Sequence, residues 1–428
     1  MLWRGLYLLY LHPLSKYPGP RLWAISRVPW TYHVVKGDIW RAQDKLHDIY
    51  GPVVRIAPDE LTYISPAVWK EIYATRPQLM KDPRSQTPPI NGADSLFTAD
   101  GDNHRRIKGA FINAFSDKAL REQATIVEEY AGMFTQRLRA EMASSPFQII
   151  NIHKIIGYLA IDIISDLTWG ESLKSMQATE DQDWISRYFL HAKFGTVRNA
   201  LSRFPPMDKI LHYFLLRITS KQRQANQKIS EERLARRLQA GHSRSDFMTP
   251  VIGKISEHGK GITKNEVLTN SLAVVIANSQ LTTIALTAAV YLLLRSPRTL
   301  TRLTEEIRTA NFKSEADIKV ATTQEFPYLN AVIDESLRIH HPTPGNLPRL
   351  VPQEGMMLNG EWVPGKTVVG VSLYNIHTRR ENFARPLEFH PERFLAKSDS
   401  RYDAQFQNDR LEAYHPFSIG PRNCIGSK

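Results

Sequence analysis

The run from Leu272 to Leu294 contains no charged residue, and it lies inside one continuous helical pattern. Thr263 followed by Glu266 makes a capping box at its start, and Pro297 closes its far end. A helix over 263–296 would reach about 50 Å, the width of a large domain. Its length and lack of charge also satisfy a crude test for a membrane span. Halfway along it, however, sit Asn278, Ser279, Gln280, Thr282 and Thr283. Such a polar cluster is costly in lipid and useful where a buried helix borders a cavity. The pattern predicts the central core helix of a large domain, with a cavity beside its midpoint.

The rest of the chain is helix-rich. Residues 117–142, 148–170, 183–198, 208–240 and 327–339 carry helical patterns, the last with Pro327 in its first turn. Residues 50–66 read as a strand pair turning at Ala57-Pro58-Asp59. Met356 to Val363 reads as a hairpin on Asn359-Gly360, and Val368 to Val371 as a further strand. Residues 82–103, rich in Pro, Gly, Asp and Ser, read as a long loop. The predicted fold class is mainly α with small β-sheets near each end of the chain, an α+β arrangement with the two segregated. That pattern argues against a doubly wound parallel sheet.

With 428 residues, 42% of them hydrophobic, the chain can bury a large core, which excludes disorder and fibre. One cysteine excludes an intramolecular disulfide and a zinc site built from several thiolates. There is also no Asn-x-Ser/Thr sequon, and both facts suit a cytosol-facing domain. Lys and Arg number 55 against 43 Asp and Glu, a formal charge of +12. The charges are scattered, so any one cluster reads as a solvated surface. The whole-molecule balance favours anionic lipid headgroups or an acidic protein partner. No nucleic-acid motif is present, and no nucleic-acid partner is expected.

Residues 1–11 are apolar over about half the length needed to span a bilayer. Two readings stand. The segment is the end of a membrane anchor, with Trp3, Tyr7 and Tyr10 at headgroup level, or a short amphipathic helix packed on the domain. Tyr17-Pro18-Gly19-Pro20 follows as a stiff hinge. The expected division is therefore 1–20 as anchor stub and Pro-rich hinge, and 21–428 as one domain.

The cysteine lies in Phe417-Ser418-Ile419-Gly420-Pro421-Arg422-Asn423-Cys424-Ile425-Gly426. A lone cysteine is commonly a small buried hydrophobe. These neighbours point elsewhere. Gly420 and Gly426 permit unusual backbone conformations and let a flat ligand come close. Pro421 stiffens the loop. Arg422 sets a cation near the sulfur that can pair with a carboxylate of a bound cofactor. Phe417 can pack on an aromatic face. A thiolate in this setting suits axial ligation of haem iron.

The segment resembles the haem-binding loop of the cytochrome P450 superfamily, Phe-x-x-Gly-x-Arg-x-Cys-x-Gly, at every fixed position. The resemblance implies the fold of that family, with the long central helix over the haem and Cys424 as the iron ligand. Phe417, Gly420 and Arg422 then belong to the cofactor-binding loop. Glu335-Ser336-Leu337-Arg338 resembles the family's Glu-x-x-Arg, and Pro391-Glu392-Arg393-Phe394 its Pro-Glu-Arg-Phe. Together they imply a buried charge network of Glu335, Arg338 and Arg393 that locks the scaffold beneath the loop. Leu347 to Pro352 resembles the segment whose arginine, here Arg349, reaches a haem propionate. His104 to Ser116 resembles the helix that supplies a Trp-x-x-x-Arg pair to the propionates. His104 and Lys108 hold those places here, and Lys108 cannot make the bidentate contact of arginine. His12 to Pro20 resembles the hinge of fungal membrane-bound members.

The family activates dioxygen reductively at thiolate-bound haem iron and inserts one oxygen atom into a C–H bond. Its protons usually pass an acid–alcohol pair in a segment like Ala-Gly-x-Glu-Thr-Thr. This chain reads Ala277-Asn278-Ser279-Gln280-Leu281-Thr282, with Gln280 for the acid and Leu281 for the first threonine. Thr282 lies about 100° further round the helix. Gln280 and Thr282 are the candidate proton-delivery residues, acting through water.

The resemblance implies a haem b monooxygenase supplied by NADPH through an acidic NADPH–cytochrome reductase. It implies a monomer at the cytosolic face of the endoplasmic reticulum membrane. The expected substrate is a hydrophobic small molecule of fungal secondary metabolism, a terpenoid or polyketide. An oxygen-independent isomerase or dehydratase, and a non-catalytic member, are the alternatives. Pocket walls are expected from Pro88, Pro89, Ile90, Leu96 and Phe97, from 185–215, and from the 272–287 helix face. The family continues past the cysteine loop into a helix across the haem, whereas here two residues follow Gly426, so the final helix is expected to be missing.

Overall fold

The computed structural model describes residues 2–86, 91–144, 149–178, 193–204, 207–241, 244–256 and 261–427. Seven helices carry the argument. They are α1 (Leu2–Leu6), α2 (Gly101–Phe111), α3 (Asp117–Ser144), α4 (Ile152–Trp169), α5 (Met207–Gln239), α6 (Lys264–Arg295) and α7 (Pro327–Ile339). Most of the 183–198 helical pattern lies outside the described residues, and 193–201 is helical.

The central helix forms where its caps place it. Thr263 Oγ1 accepts the Glu266 N–H at 3.2 Å, and Glu266 Oε2 accepts the Thr263 N–H at 2.9 Å. Two otherwise orphaned donors are satisfied reciprocally. Glu266 also takes the Arg106 guanidinium of α2, at 3.0 Å from Nη1. One capping residue thus ties α6 to α2. The inward face of α6 buries Val267, Val274, Val275, Ser279 and Thr283. With Ile107 and Phe111 of α2 and Ile161, Ile164 and Trp169 of α4 it forms the larger helical core.

The strands are β1 (Val53–Ala57), β2 (Glu60–Tyr63), β3 (Met80–Lys81), β4 (Arg349–Leu350), β5 (Met356–Leu358), β6 (Glu361–Val363) and β7 (Val368–Val371). The pair β1–β2 and the hairpin β5–β6 stand where the sequence puts them. In the hairpin both Asn359 (φ 51°) and Gly360 (φ 77°) take positive φ, as a tight two-residue turn requires. The small sheet component expected near each end of the chain is present. Strands from both ends join in one sheet of order β1-β2-β7-β4-β3, in which β2 and β7 run parallel. Every residue of β2 and β7 is buried, so both need a cover on each face and find it by pairing in the interior.

This sheet borders a second core of Leu61, Tyr63, Trp69, Tyr73, Val369 and Val371. The cysteine loop lies between the two cores. Ile419 packs on the sheet side and Ile425 on the helical side.

At the start of the chain, Leu8, Leu14 and Tyr17 are buried, whereas Leu2, Trp3, Tyr10 and Leu11 are exposed. The segment is docked on the domain along one side and presents an apolar surface along the other.

Candidate functional site

The cysteine loop is closed by its own backbone. Cys424 N–H donates to Phe417 O at 2.8 Å, and Asn423 N–H donates to Gly420 O at 3.1 Å. Gly420 is required here on two counts. Its φ is +76°, and a Cβ on it would stand 2.1 Å from Tyr73 O. The loop therefore rests directly on the backbone of the turn Lys70–Ala74. Cys424 is on the exposed side of the loop. Crowding by the protein pushes its thiol pKa up, against the pull of the Gly426 N–H and the Lys108 cation. A cationic ligand at the sulfur would favour the thiolate.

Lys108 of α2 reaches the loop from the helical side. Its Nζ donates to Pro421 O at 2.9 Å, Asn423 O at 3.1 Å and Asn423 Oδ1 at 2.7 Å. An ammonium has three donors, and all three are used. The family pattern implies a carboxylate contact for this residue; here it pins the loop instead. His104, one turn earlier, is buried. Burial, then Arg422, Lys108, Lys81 and Arg349, push its pKa down to about 3. It is neutral at physiological pH and keeps one N–H to give.

Arg422 donates Nη2 to Ala99 O and to Asp100 Oδ1. Its Nε and Nη1 are buried without a partner. Arg349 of β4 is buried at 7% exposure and lies 5.4 Å from the centre of the Tyr73 ring. The one side-chain hydrogen bond it makes among the described residues goes to Pro348 O at 3.3 Å. Phe417 is partly exposed beside the loop. The residues expected from the sequence come together around Cys424: Phe417, Gly420 and Arg422 from the loop, His104 and Lys108 from α2, and Arg349 through its field at His104.

Sequence reasoning missed Lys81. It stands on β3 directly opposite Arg349 of β4. Burial, then Arg422 and Arg349, lower its pKa to about 7. A two-residue strand carries no periodicity, so nothing in the pattern marked this lysine. Lys81, Arg349 and Arg422 share one carboxylate neighbour, Asp100, which Arg422 already holds.

The midpoint of α6 adjoins the loop. Asn278 Oδ1 lies 3.7 Å from where a Cβ on Gly426 would stand, and Asn278 Nδ2 donates back to Val274 O at 2.9 Å. Gln280 Nε2 is buried without a partner, and Thr282 is exposed. Thr283 faces inward and donates to Ser279 O at 2.6 Å. Leu96 packs at the edge of the helical core and Phe97 is exposed, whereas Pro88, Pro89 and Ile90 lie outside the described residues, as do 185–192 and 205–206.

Beneath the loop, Glu335, Arg338 and Arg393 meet with their side chains wholly buried. Arg338 donates to Glu335 at 2.7 and 2.8 Å, and to the carbonyls of His377 and Pro386 at 2.8 and 2.7 Å. Arg393 Nε lies 3.0 Å from Glu335 Oε2, and its Nη1 pairs with Asp409. Asp409 has no sequence signature. The network is joined to the loop by short steps. Tyr414 O–H donates to Asp334 O at 2.9 Å, and His341 Nε2 lies 2.8 Å from Pro416 O.

Comparison with known proteins agrees with this geometry. The family described as Cytochrome P450 matches residues 17–428. The chain belongs to the cytochrome P450 family. It is 36% identical to cytochrome P450 monooxygenase astJ of Aspergillus oryzae, over 99% of this chain and 84% of that protein. It is 37% identical to cytochrome P450 monooxygenase stcF of Emericella nidulans, over 98% and 85%. Averantin hydroxylase of Dothistroma septosporum is 36% identical, over 98% and 78%. The chain is thus a P450 monooxygenase of the fungal secondary-metabolite type, and its family uses haem. The site fits that cofactor. A cradle with unpaired guanidinium N–H groups and more cations than carboxylates suits the two haem carboxylates, and the Cys424 thiol is exposed and in no disulfide.

Proposed function

We propose that this P450 inserts one oxygen atom from O2 into a hydrophobic small molecule, a terpenoid or polyketide, with haem b held through Cys424 Sγ. The observation that carries the reading is the placement of Cys424. Its loop is pinned by Lys108 and by the contact of Gly420 with Tyr73, between unpaired cations on one side and the polar midpoint of α6 on the other. Bound there, haem supplies the reductive activation of dioxygen, with electron donation from the thiolate. Phe417 would pack against the macrocycle, and Arg349, Arg422 and His104 would hold its carboxylates. Glu335, Arg338 and Arg393 hold the scaffold.

Protons travel by way of Gln280 and Thr282 through water. Gln280 cannot ionise, so it orders water rather than giving up a proton of its own. That departure is also what favours the second reading, an oxygen-independent rearrangement. Electrons come from NADPH through a reductase whose acidic face suits the +12 charge. The exposed Leu2, Trp3, Tyr10 and Leu11 support seating at the cytosolic face of the endoplasmic reticulum membrane. The domain from 21 to 428 acts as a monomer.

The test is a ferrous–CO difference spectrum of the wild type and of Cys424→Ala. The red-shifted Soret band is expected in the first and absent in the second. A band that persists in Cys424→Ala sinks the ligand assignment. Turnover that proceeds without NADPH, reductase and O2 favours the rearrangement.

A further inference from the structure

We propose that Asn270 of α6 is a positioning residue for the substrate, acting through residues 91–99, which it holds beside the cysteine loop. The inference deepens the reading given under Proposed function and rests on it for the place of the substrate.

Asn270 is 0% exposed, on the helix face that also buries Val267 and Val274. Asparagine forms helices less readily than leucine or methionine, and a buried amide must find partners. Within its own helix it finds one, Glu266 O, to which Nδ2 donates at 2.8 Å. Its other bonds leave the helix. Oδ1 accepts the Leu96 N–H at 2.8 Å, and Nδ2 donates to Asp94 O at 3.2 Å. One side chain thus holds both a donor and an acceptor of the same stretch of backbone. Neither helix formation nor apolar packing asks for asparagine at this place; the facing segment does.

A second amide works in the opposite direction. Asn91 Nδ2 donates to Asn265 O of α6 at 3.0 Å, and Asn91 Oδ1 accepts the Thr269 hydroxyl at 2.7 Å. Between the two staples the segment is tied to itself. Thr98 Oγ1 accepts the Ser95 N–H at 2.9 Å and donates to Asp94 Oδ1 at 3.2 Å, and Asp94 Oδ2 accepts from Asn103 of α2 at 2.5 Å. Residues 91–99 contain neither helix nor strand, so these side-chain bonds stand in for a backbone ladder.

The segment spans the distance from α6 to the cysteine loop. Leu96 packs on the helical core, Phe97 is 49% exposed, and Ala99 O accepts from Arg422. Its position sets how much room an apolar guest has beside Cys424. Asn270 touches no guest itself; it fixes the wall that does.

Two measurements test this. Hydrogen exchange of the full chain, read by mass spectrometry, reports the staple without any cofactor. In Asn270→Ala, peptides covering 91–99 are expected to exchange about tenfold faster than in the wild type, while 275–295 keeps its rates. Asn91→Ala, which leaves the buried amide in place, is expected to show the same pattern to a smaller degree, and it carries both measurements if Asn270→Ala does not fold. Haem-loaded protein is then titrated with imidazole and with 4-phenylimidazole, and the Soret shift is read. Imidazole reports the iron alone, whereas the phenyl ring must fit the space beside it. Asn270→Ala is expected to bind imidazole as the wild type does and 4-phenylimidazole about tenfold more weakly. The inference is overturned if exchange at 91–99 is unchanged in both variants, or if the two probes weaken by the same factor or not at all. A wild type that shows no Soret shift with imidazole overturns the haem reading instead, and leaves the exchange result standing.

Discussion

Glu335 holds Arg338 through two hydrogen bonds, of 2.7 and 2.8 Å, one turn along the same helix, and neither side chain is exposed. The same carboxylate lies 3.0 Å from Arg393 Nε and accepts the His390 N–H at 3.0 Å. A pair this deep is expensive to break from one side. Glu335→Gln keeps the shape and removes the charge, leaving Arg338 buried without a counter-ion while Arg393 keeps Asp409. The expected loss is about 3–5 kcal/mol, read as a lower urea midpoint or as loss of cooperative unfolding. A midpoint within experimental error of wild type would contradict the network's role.

Gly420 predicts a local failure. An alanine there must adopt φ near +76° with its Cβ 2.1 Å from Tyr73 O, a backbone atom that cannot step aside cheaply. The loop should lift from the Lys70–Ala74 turn while the two cores stay packed. Gly420→Ala is expected to keep its far-UV circular dichroism and to lose the red-shifted ferrous–CO band. Retention of the full band would show that the loop tolerates the displacement.

Acid should weaken the fold through its buried histidines. His47 is 3% exposed, its Nδ1 meets Gly51 O at 2.8 Å, and its Nε2 has no partner. Burial lowers its pKa to about 4, against the pull of the Gly51 carbonyl. The folded state therefore favours the neutral ring. That stability is complete above the unfolded pKa near 6.5 and is lost as pH falls toward 4. The span corresponds to roughly 3 kcal/mol at one site. His47→Gln is expected to flatten the dependence of unfolding free energy on pH between 6.5 and 4 by up to one proton. An unchanged slope would assign the acid sensitivity elsewhere, for instance to His104 or His377.

The features legible in the sequence are those whose physics is local. Thr263, Glu266 and Pro297 fix the ends of the central helix within a few residues of themselves, and Asn359-Gly360 fixes a hairpin by its own backbone preference. The cysteine loop and the Glu335–Arg338 pair are short patterns at fixed spacing. What escaped is decided at long range. Nothing near Tyr63 says that it will pair with Val371 across most of the chain. Nothing near Lys81 says that Arg349 will face it. Lys108 shows a related limit. Sequence gives its charge and reach, but which oxygen it finds depends on how closely the Pro421–Asn423 backbone approaches α2.

Arg55 makes the last prediction. Its side chain is 1% exposed and pairs with no carboxylate among the described residues. Instead it donates to Leu8 O and to Pro58 O, both at 2.8 Å. The first of these acceptors belongs to the N-terminal segment, so that segment is part of the domain's hydrogen bonding as well as an exposed apolar surface. Removing residues 1–11 strands a buried guanidinium N–H, at a cost of about 1–3 kcal/mol. It also exposes the apolar surface that Leu8 covers. Arg55→Met removes the donor that needs the carbonyl. The truncation is therefore expected to cost less in the Arg55→Met background than in the wild type, a coupling that a double-mutant cycle of urea midpoints measures. Strict additivity of the two changes would show that Leu8 and Arg55 stabilise the fold independently.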